Sequence, residues 1–141
     1  MTGRTIRWAI HVARPPAEVF AALDSAAERA RFWAESAEEH EGEIHFVFIN
    51  GVEHRARVLS KQPPGEWSIE YFGGRATFRL SPDGSGGTDV WLTHVVQDEE
   101  YAEVSAGWLN VLLPFKAWVQ HGVDLRNHDS ARTWDHGFVD Q

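Results

Sequence analysis

The sequence predicts an α+β domain in which a curved antiparallel sheet is closed by one long C-terminal helix. Three observations predict it. A strand and two short helical segments open the chain, short strands at tight turns fill residues 36–96, and one long apolar-striped segment follows from Ala102. Strands linked by tight turns pair antiparallel, and the lack of crossover helices excludes a parallel doubly wound sheet.

Residues 6–12 alternate Ile6, Trp8, Ile10 and Val12 with Arg7, Ala9 and His11. Period two marks a half-buried strand. Pro15-Pro16 ends it and suits a first helical turn, where a missing N–H forfeits no intrahelical bond. Residues 17–23 follow as a short helix with Val19, Phe20 and Leu23 on one side. Ser25 and Glu28 have the spacing of a reciprocal capping box, which opens a second helix to Phe32-Trp33.

The next region reads as strands. Residues 44–49 are Ile-His-Phe-Val-Phe-Ile, and Asn50-Gly51 after them predicts a hairpin with positive φ at both positions. Residues 53–60 return, with Ala56 and Val58 against Arg55 and Arg57. Residues 67–71 and 76–80 pair around a Gly73-Gly74 turn. Residues 88–96 place Trp91, Thr93 and Val95 on one face and Val90, Leu92 and His94 on the other. The 44–49 strand is apolar on both faces, which predicts cover on its outer side, such as a homodimer partner would supply.

Residues 102–121 predict the long helix, since Trp108, Val111, Leu112, Phe115, Trp118 and Val119 form one apolar stripe. Gly107 is expected to let helix backbone and sheet approach closely. Pro114 is expected to kink or split the helix, and Gly122 to stop it. Asp98-Glu-Glu100 places negative charge before it, where the helix dipole favours it. In the tail, residues 129–134 predict one helical turn capped by Asp129, with Trp134 and Phe138 pinned on the body. Neither a repeat nor a linker divides the chain, so residues 1–141 are expected to form a single domain.

Composition excludes several functions. The chain has no cysteine, which removes disulfides, thiolate catalysis and Cys-based metal sites. A formal net charge of −8 argues against nucleic acid and anionic membrane surfaces as partners. The first residues, Met-Thr-Gly-Arg-Thr-Ile-Arg, hold no apolar run of the secretory kind, and the stretch 108–119 is too short to span a bilayer. A cytoplasmic protein is expected.

The segment Arg14-Pro-Pro-Ala-Glu-Val-Phe-Ala-Ala-Leu23, followed by Arg31-Phe-Trp33, resembles the opening of the SRPBCC (START-like) superfamily. Within it, the chain is most similar to the branch named after the activator of the heat-shock-protein-90 ATPase. The glycine-rich turn into a Thr-containing strand over 84–92, Gly107-Trp108-Leu109, and Gly122-Val-Asp-Leu-Arg-Asn-His128 continue the resemblance. It implies the helix-grip fold, with a cavity between sheet and long helix that relatives use for sterols, lipids, polyketides or plant hormones. It implies no single chemistry. A co-chaperone role is the alternative it carries, although no chaperone-contact residue maps onto this sequence.

The candidate site is the aromatic set. Phe46, Phe48, Trp67, Tyr71, Phe78, Trp91, Trp108, Leu112 and Phe115 either wall a pocket or fill a core, and both readings need them inward. His54 and His94 lie among apolar neighbours and either orient a ligand or bond a backbone carbonyl. Arg55, Arg57 and Arg75 are candidates to meet a ligand's polar end. His54, His94 and Tyr71 would serve a cyclase or dehydratase, the least favoured reading. His121, Asp124, His128, Asp129 and His136 can be drawn as a metal site, but no two histidines have the helical His-x-x-x-His spacing, and neither metal nor cofactor is expected. Gly84-Ser-Gly-Gly87 leads into a strand and is no phosphate loop, and no Gly-x-Ser-x-Gly elbow exists. The sequence thus points first to a small hydrophobic ligand, then to a chaperone partner.

Overall fold

A computed structural model describes residues 3–141. Met1 and Thr2, which begin the stretch read above for a secretory signal and the expected 1–141 domain, lie outside the described residues. The elements run β1 (Gly3–Val12), α1 (Pro16–Leu23), α2 (Ala26–Phe32), β2 (Ser36–His40), β3 (Glu43–Val47), β4 (Glu53–Gln62), β5 (Glu66–Tyr71), β6 (Gly74–Pro82), β7 (Thr88–Gln97) and α3 (Tyr101–His121). All seven strands join one antiparallel sheet in the order β1-β7-β6-β5-β4-β3-β2. The meander from β2 to β7 is therefore continuous, and β1 closes it by pairing with β7. Helix α3 packs on β1, and α2 packs on both β2 and α3. This is the expected helix-grip arrangement. Among the described residues, no helix is long and apolar enough to cross a membrane.

Strand parity sets which side chains reach the interior. In β7, Val90, Leu92, His94 and Val96 are buried, while Trp91 and Val95 face out. In β3, Ile44 and Phe46 are fully buried. Outward His45 pairs with Glu53, their atoms 2.6 Å apart. A register shift between Val58 and Ser60 marks a bulge in β4, a feature that bends a sheet. The acidic run Glu38-Glu39-His40-Glu41 occupies the solvated edge strand β2 and the turn after it.

Three turns differ from expectation. Of Asn50-Gly51, only Gly51 takes a positive φ, of 91°. The hairpin loop is one residue longer than read, with Phe48 N–H donating to Val52 O, and Asn50 Oδ1 accepts from Val52 N–H. The β5–β6 turn is centred on Phe72 (φ 48°) and Gly73 (φ 89°), not on Gly73-Gly74. Gly74 already belongs to β6, where an added Cβ would stand 1.9 Å from Val95 O. Steric closeness, rather than turn conformation, therefore requires that glycine. Glu41 and Gly42 form a third tight turn, both at positive φ, unread in the acidic sequence.

The helices also depart in detail. Ser25 Oγ accepts from Glu28 N–H at 3.2 Å, so half the capping box forms. The other half does not, because Ser25 N–H already donates to Ala22 O and Glu28 instead accepts from Trp118 Nε1 at 2.9 Å. Helix α3 is unbroken through Pro114, so the expected split does not occur. Pro114 is buried with Val111, Leu112 and Phe115, and packing of that stripe outweighs one lost backbone bond. Gly122 ends α3 at φ 67° as expected. Gly107 gives no close approach: a Cβ there would meet nothing within 4 Å.

Two buried guanidiniums hold the periphery. Arg29 donates to Ala37 O through Nε and Nη2 and to Leu23 O through Nη1, at 2.7–3.1 Å. It ties α2 to the edge strand β2. Arg126 donates to Gln141 O at 2.8 Å and stands 2.8 Å from Glu35 Oε2. The tail is thereby folded back on the body. The helical turn expected at 129–134 is a tight turn at Asp129, whose carboxylate accepts from Ala131 N–H, and the short 3-10 turn falls later, at Trp134–His136. Trp134 is pinned, donating from Nε1 to Glu103 at 2.9 Å; Phe138 is exposed, contrary to expectation.

Candidate functional site

A cleft of about 430 Å³ opens under the first half of α3. Val104, Gly107, Trp108 and Val111 form its helical wall. Phe48, Asn50 and Val52, from the hairpin loop after β3, face it. Tyr71 and Phe72 come from the β5–β6 turn, and Trp33 from the end of α2. The tail closes one side with Trp134, Asp135 and Gln141.

The floor is an aromatic cluster built from distant parts of the chain. Trp33 is its hub, with ring centroids 4.8 Å from Phe46 and 5.6 Å from both Tyr71 and Trp108. Trp33 Nε1 donates to the Tyr71 hydroxyl at 3.0 Å. Burial pushes the Tyr71 phenol above the usual tyrosine pKa, the Trp33 bond opposing it weakly, so the hydroxyl stays protonated. Beneath it, His94 Nε2 donates to Tyr71 O at 2.9 Å, and Nδ1 accepts from Trp108 Nε1 at 3.0 Å. These two bonds select the neutral Nε2–H tautomer. Burial lowers the His94 pKa, with the Tyr71 bond and the distant Glu100 charge opposing. His94 therefore fixes Trp108 and the β5 end rather than meeting a ligand, as the backbone-carbonyl reading had it.

Of the sequence-predicted site residues, Phe48, Tyr71 and Trp108 line the cleft. Phe46, Trp67, Phe78, Leu112 and Phe115 are buried in the filled core behind it. His54 sits at the margin, where Nε2 accepts from Phe72 N–H at 3.0 Å and its ring stacks on Phe72 at 4.1 Å. Trp91 is a correction: 53% exposed, it stands on the outer face because it differs by one position from inward Val90 and Leu92. Arg55, Arg57 and Arg75 are corrections too. All three are exposed, and Arg75 donates to Ser68 Oγ; none borders the cleft. The enzyme candidates His54, His94 and Tyr71 do not converge on the cavity as an acid–base pair, since His94 is fully bonded within the core.

The drawn metal site does not assemble. His128 is held between Glu35 and Asp124, at 2.8 and 2.7 Å, as part of the ionic cluster around Arg126. His136 Nδ1 bonds Thr133 Oγ1, and His121 bonds Gln120. Among the described residues, no three ligating groups are placed to hold a metal ion.

Sequence reasoning missed Trp33, Phe72, Val104 and the tail as lining. Trp33 stood out only as the tryptophan ending the second helix. Phe72 gave no signal, because a bulky residue at positive φ is not expected in a turn.

No protein-family profile matches the chain, and no curated protein matches it. Solved structures do. Protein SSP2350 of Staphylococcus saprophyticus aligns at 21% identity with TM-score 0.76, covering 87% of this chain and 96% of the other. The Aha1 dimer of Colwellia psychrerythraea gives 20% identity and TM-score 0.74, over 84% and 98%. CalU16 of Micromonospora echinospora gives 23% identity and TM-score 0.69, over 84% and 75%. These likenesses establish the fold: the chain shares the helix-grip architecture of these proteins.

Proposed function

We propose that the protein binds a small apolar molecule in the cleft under α3. One observation carries this reading: an open volume of about 430 Å³ floored by Trp33, Tyr71 and Trp108 lies beside an otherwise filled core. The cleft opens to solvent, so its apolar floor faces water in the free protein, and a ligand that displaces that water gains the burial. The volume falls within the range of small-molecule sites, and the aromatic floor supplies burial at roughly 25 cal/mol per Å².

The test uses Gly107. Because a Cβ there meets nothing within 4 Å and the position borders the cleft, Gly107→Phe fills the cavity without crowding the core. Trp33, Trp108 and Trp134 border the cleft and report on occupancy. Titration with a panel of uncharged lipids, sterols and aromatic polyketides is expected to perturb tryptophan emission in the native protein, and Gly107→Phe to abolish the response. A silent panel, or a response that survives in Gly107→Phe, overturns the reading.

A further inference from the structure

The chemistry of the mouth narrows the ligand class, and this step rests on the cleft reading above. Three carboxylates border the cleft, Glu100, Glu103 and Asp135, with no Lys, Arg or His among the lining residues. Each is engaged by a neutral donor. Glu103 accepts from Trp134 Nε1 at 2.9 Å, Asp135 from Asn50 Nδ2 at 2.9 Å, and Glu100 from Gln97 N–H at 3.3 Å. Among the described residues, none of the three has a cationic nitrogen within ion-pair distance. Some acids elsewhere are paired, as at Lys61 with Asp24 and Glu39, Arg79 with Glu66, and Arg4 with Asp98, and others are not; the cleft is set apart by gathering three carboxylates around an aromatic floor with no cation in its lining.

The floor points the same way. Trp33, Tyr71, Trp108 and Trp134 present aromatic rings, whose negative faces attract cations most strongly where water is thin. Independently, the buried Tyr71 hydroxyl accepts from Trp33 but has no acceptor for its own proton among the described residues. Tyr71 lines the cleft, and a ligand atom with a lone pair would take that proton.

We propose that the cleft selects an amphiphilic cation: an apolar body over the aromatic floor, a carbonyl or ether acceptor within reach of Tyr71, and an ammonium group among Glu100, Glu103 and Asp135. An anionic fatty acid would meet the carboxylates and be refused.

Hexanoylcholine and its uncharged carbon isostere, 3,3-dimethylbutyl hexanoate, separate charge from shape. Calorimetry and tryptophan emission on the full chain are expected to give hexanoylcholine about tenfold tighter binding, with hexanoate weakest. Added salt should narrow the gap, because the mouth is solvent-accessible. The triple variant Glu100→Gln, Glu103→Gln and Asp135→Asn keeps the accepting amide oxygens. It should lose the preference while leaving the isostere's affinity in place. Equal binding of cation and isostere by the native protein overturns the charge assignment and leaves the cleft reading standing. Binding of neither overturns both.

Discussion

Arg29 is the residue whose removal tests the structural reasoning most directly. Its guanidinium is fully buried and makes three hydrogen bonds to just two backbone carbonyls, Leu23 O and Ala37 O. Burial lowers its pKa, with Glu39, Asp24 and Glu38 opposing at a distance, so the charge is held at a desolvation cost. Arg29→Met keeps the aliphatic stem and deletes the charge and all donors. Each carbonyl left without a partner costs about 1–3 kcal/mol, and relief of the buried charge returns part of the sum. The net expectation is a loss of about 3 kcal/mol, a large share of a typical domain stability of about 5–15 kcal/mol. At this chain length that corresponds to a fall in Tm of roughly 10 °C. Urea unfolding followed by tryptophan emission should show the midpoint drop with an unchanged slope, and hydrogen exchange should speed up first in β2, the strand Arg29 holds. Arg29→Lys should recover little, since one ammonium cannot reproduce the planar fork. A change below about 0.5 kcal/mol in Arg29→Met would refute the claim that these bonds hold the edge strand.

Three further outcomes follow from single positions. His94 is buried with a lowered pKa, so below about pH 6.5 the unfolded chain takes up a proton that the folded one does not. Its contribution is complete above that pH and is lost as the pH falls toward the folded value, by at most about 1.4 kcal/mol per pH unit; His94→Leu should flatten urea midpoints measured from pH 7 to 5. Gly74→Ala places a Cβ 1.9 Å from Val95 O, a backbone atom that cannot step aside, so a loss of about 2 kcal/mol or more is expected in thermal melts. Gly107→Ala should have the opposite sign, a gain of about 0.5–1 kcal/mol from helix propensity, because its Cβ enters open space.

The two glycines show why some of this structure was legible and some was not. Fold order, strand parity and the Gly122 stop follow from local periodicity and backbone preference, which a sequence carries residue by residue. Gly107 and Gly74 both stand out in the sequence, but close approach to the sheet belongs to Gly74 and not to Gly107. What distinguishes them is the distance from an absent Cβ to a strand or to empty space, and only tertiary placement sets that distance. The same holds for Arg29 and Arg126, which read as ordinary charged positions and prove to be interior ties for β2 and the tail.

The candidate site obeys a similar division. Three of eleven named residues reach the cleft, because an inward aromatic looks alike whether it meets another side chain or a void. Parity rejects Trp91, yet it cannot separate Phe46 from Phe48, which are stacked 6.0 Å apart. Phe46 packs into the Trp33 cluster and is fully buried; Phe48 stands where β3 has given way to the hairpin loop and only half-covers itself. The cleft therefore lies where regular elements end: past β3, at the β5–β6 turn, at the last turn of α2 and along the tail. Positions released from strand or helix period are those at which pattern reading has least to say. Glu100 and Asp135 sit at such positions, in short 3-10 turns, whereas Glu103 lies in the first turn of α3; Glu103 and Asp135 acquire their role from Trp134 and Asn50 rather than from any motif. A substitution at Asn50, which holds Asp135 without belonging to the aromatic floor, should accordingly alter selectivity at the mouth while leaving that floor intact.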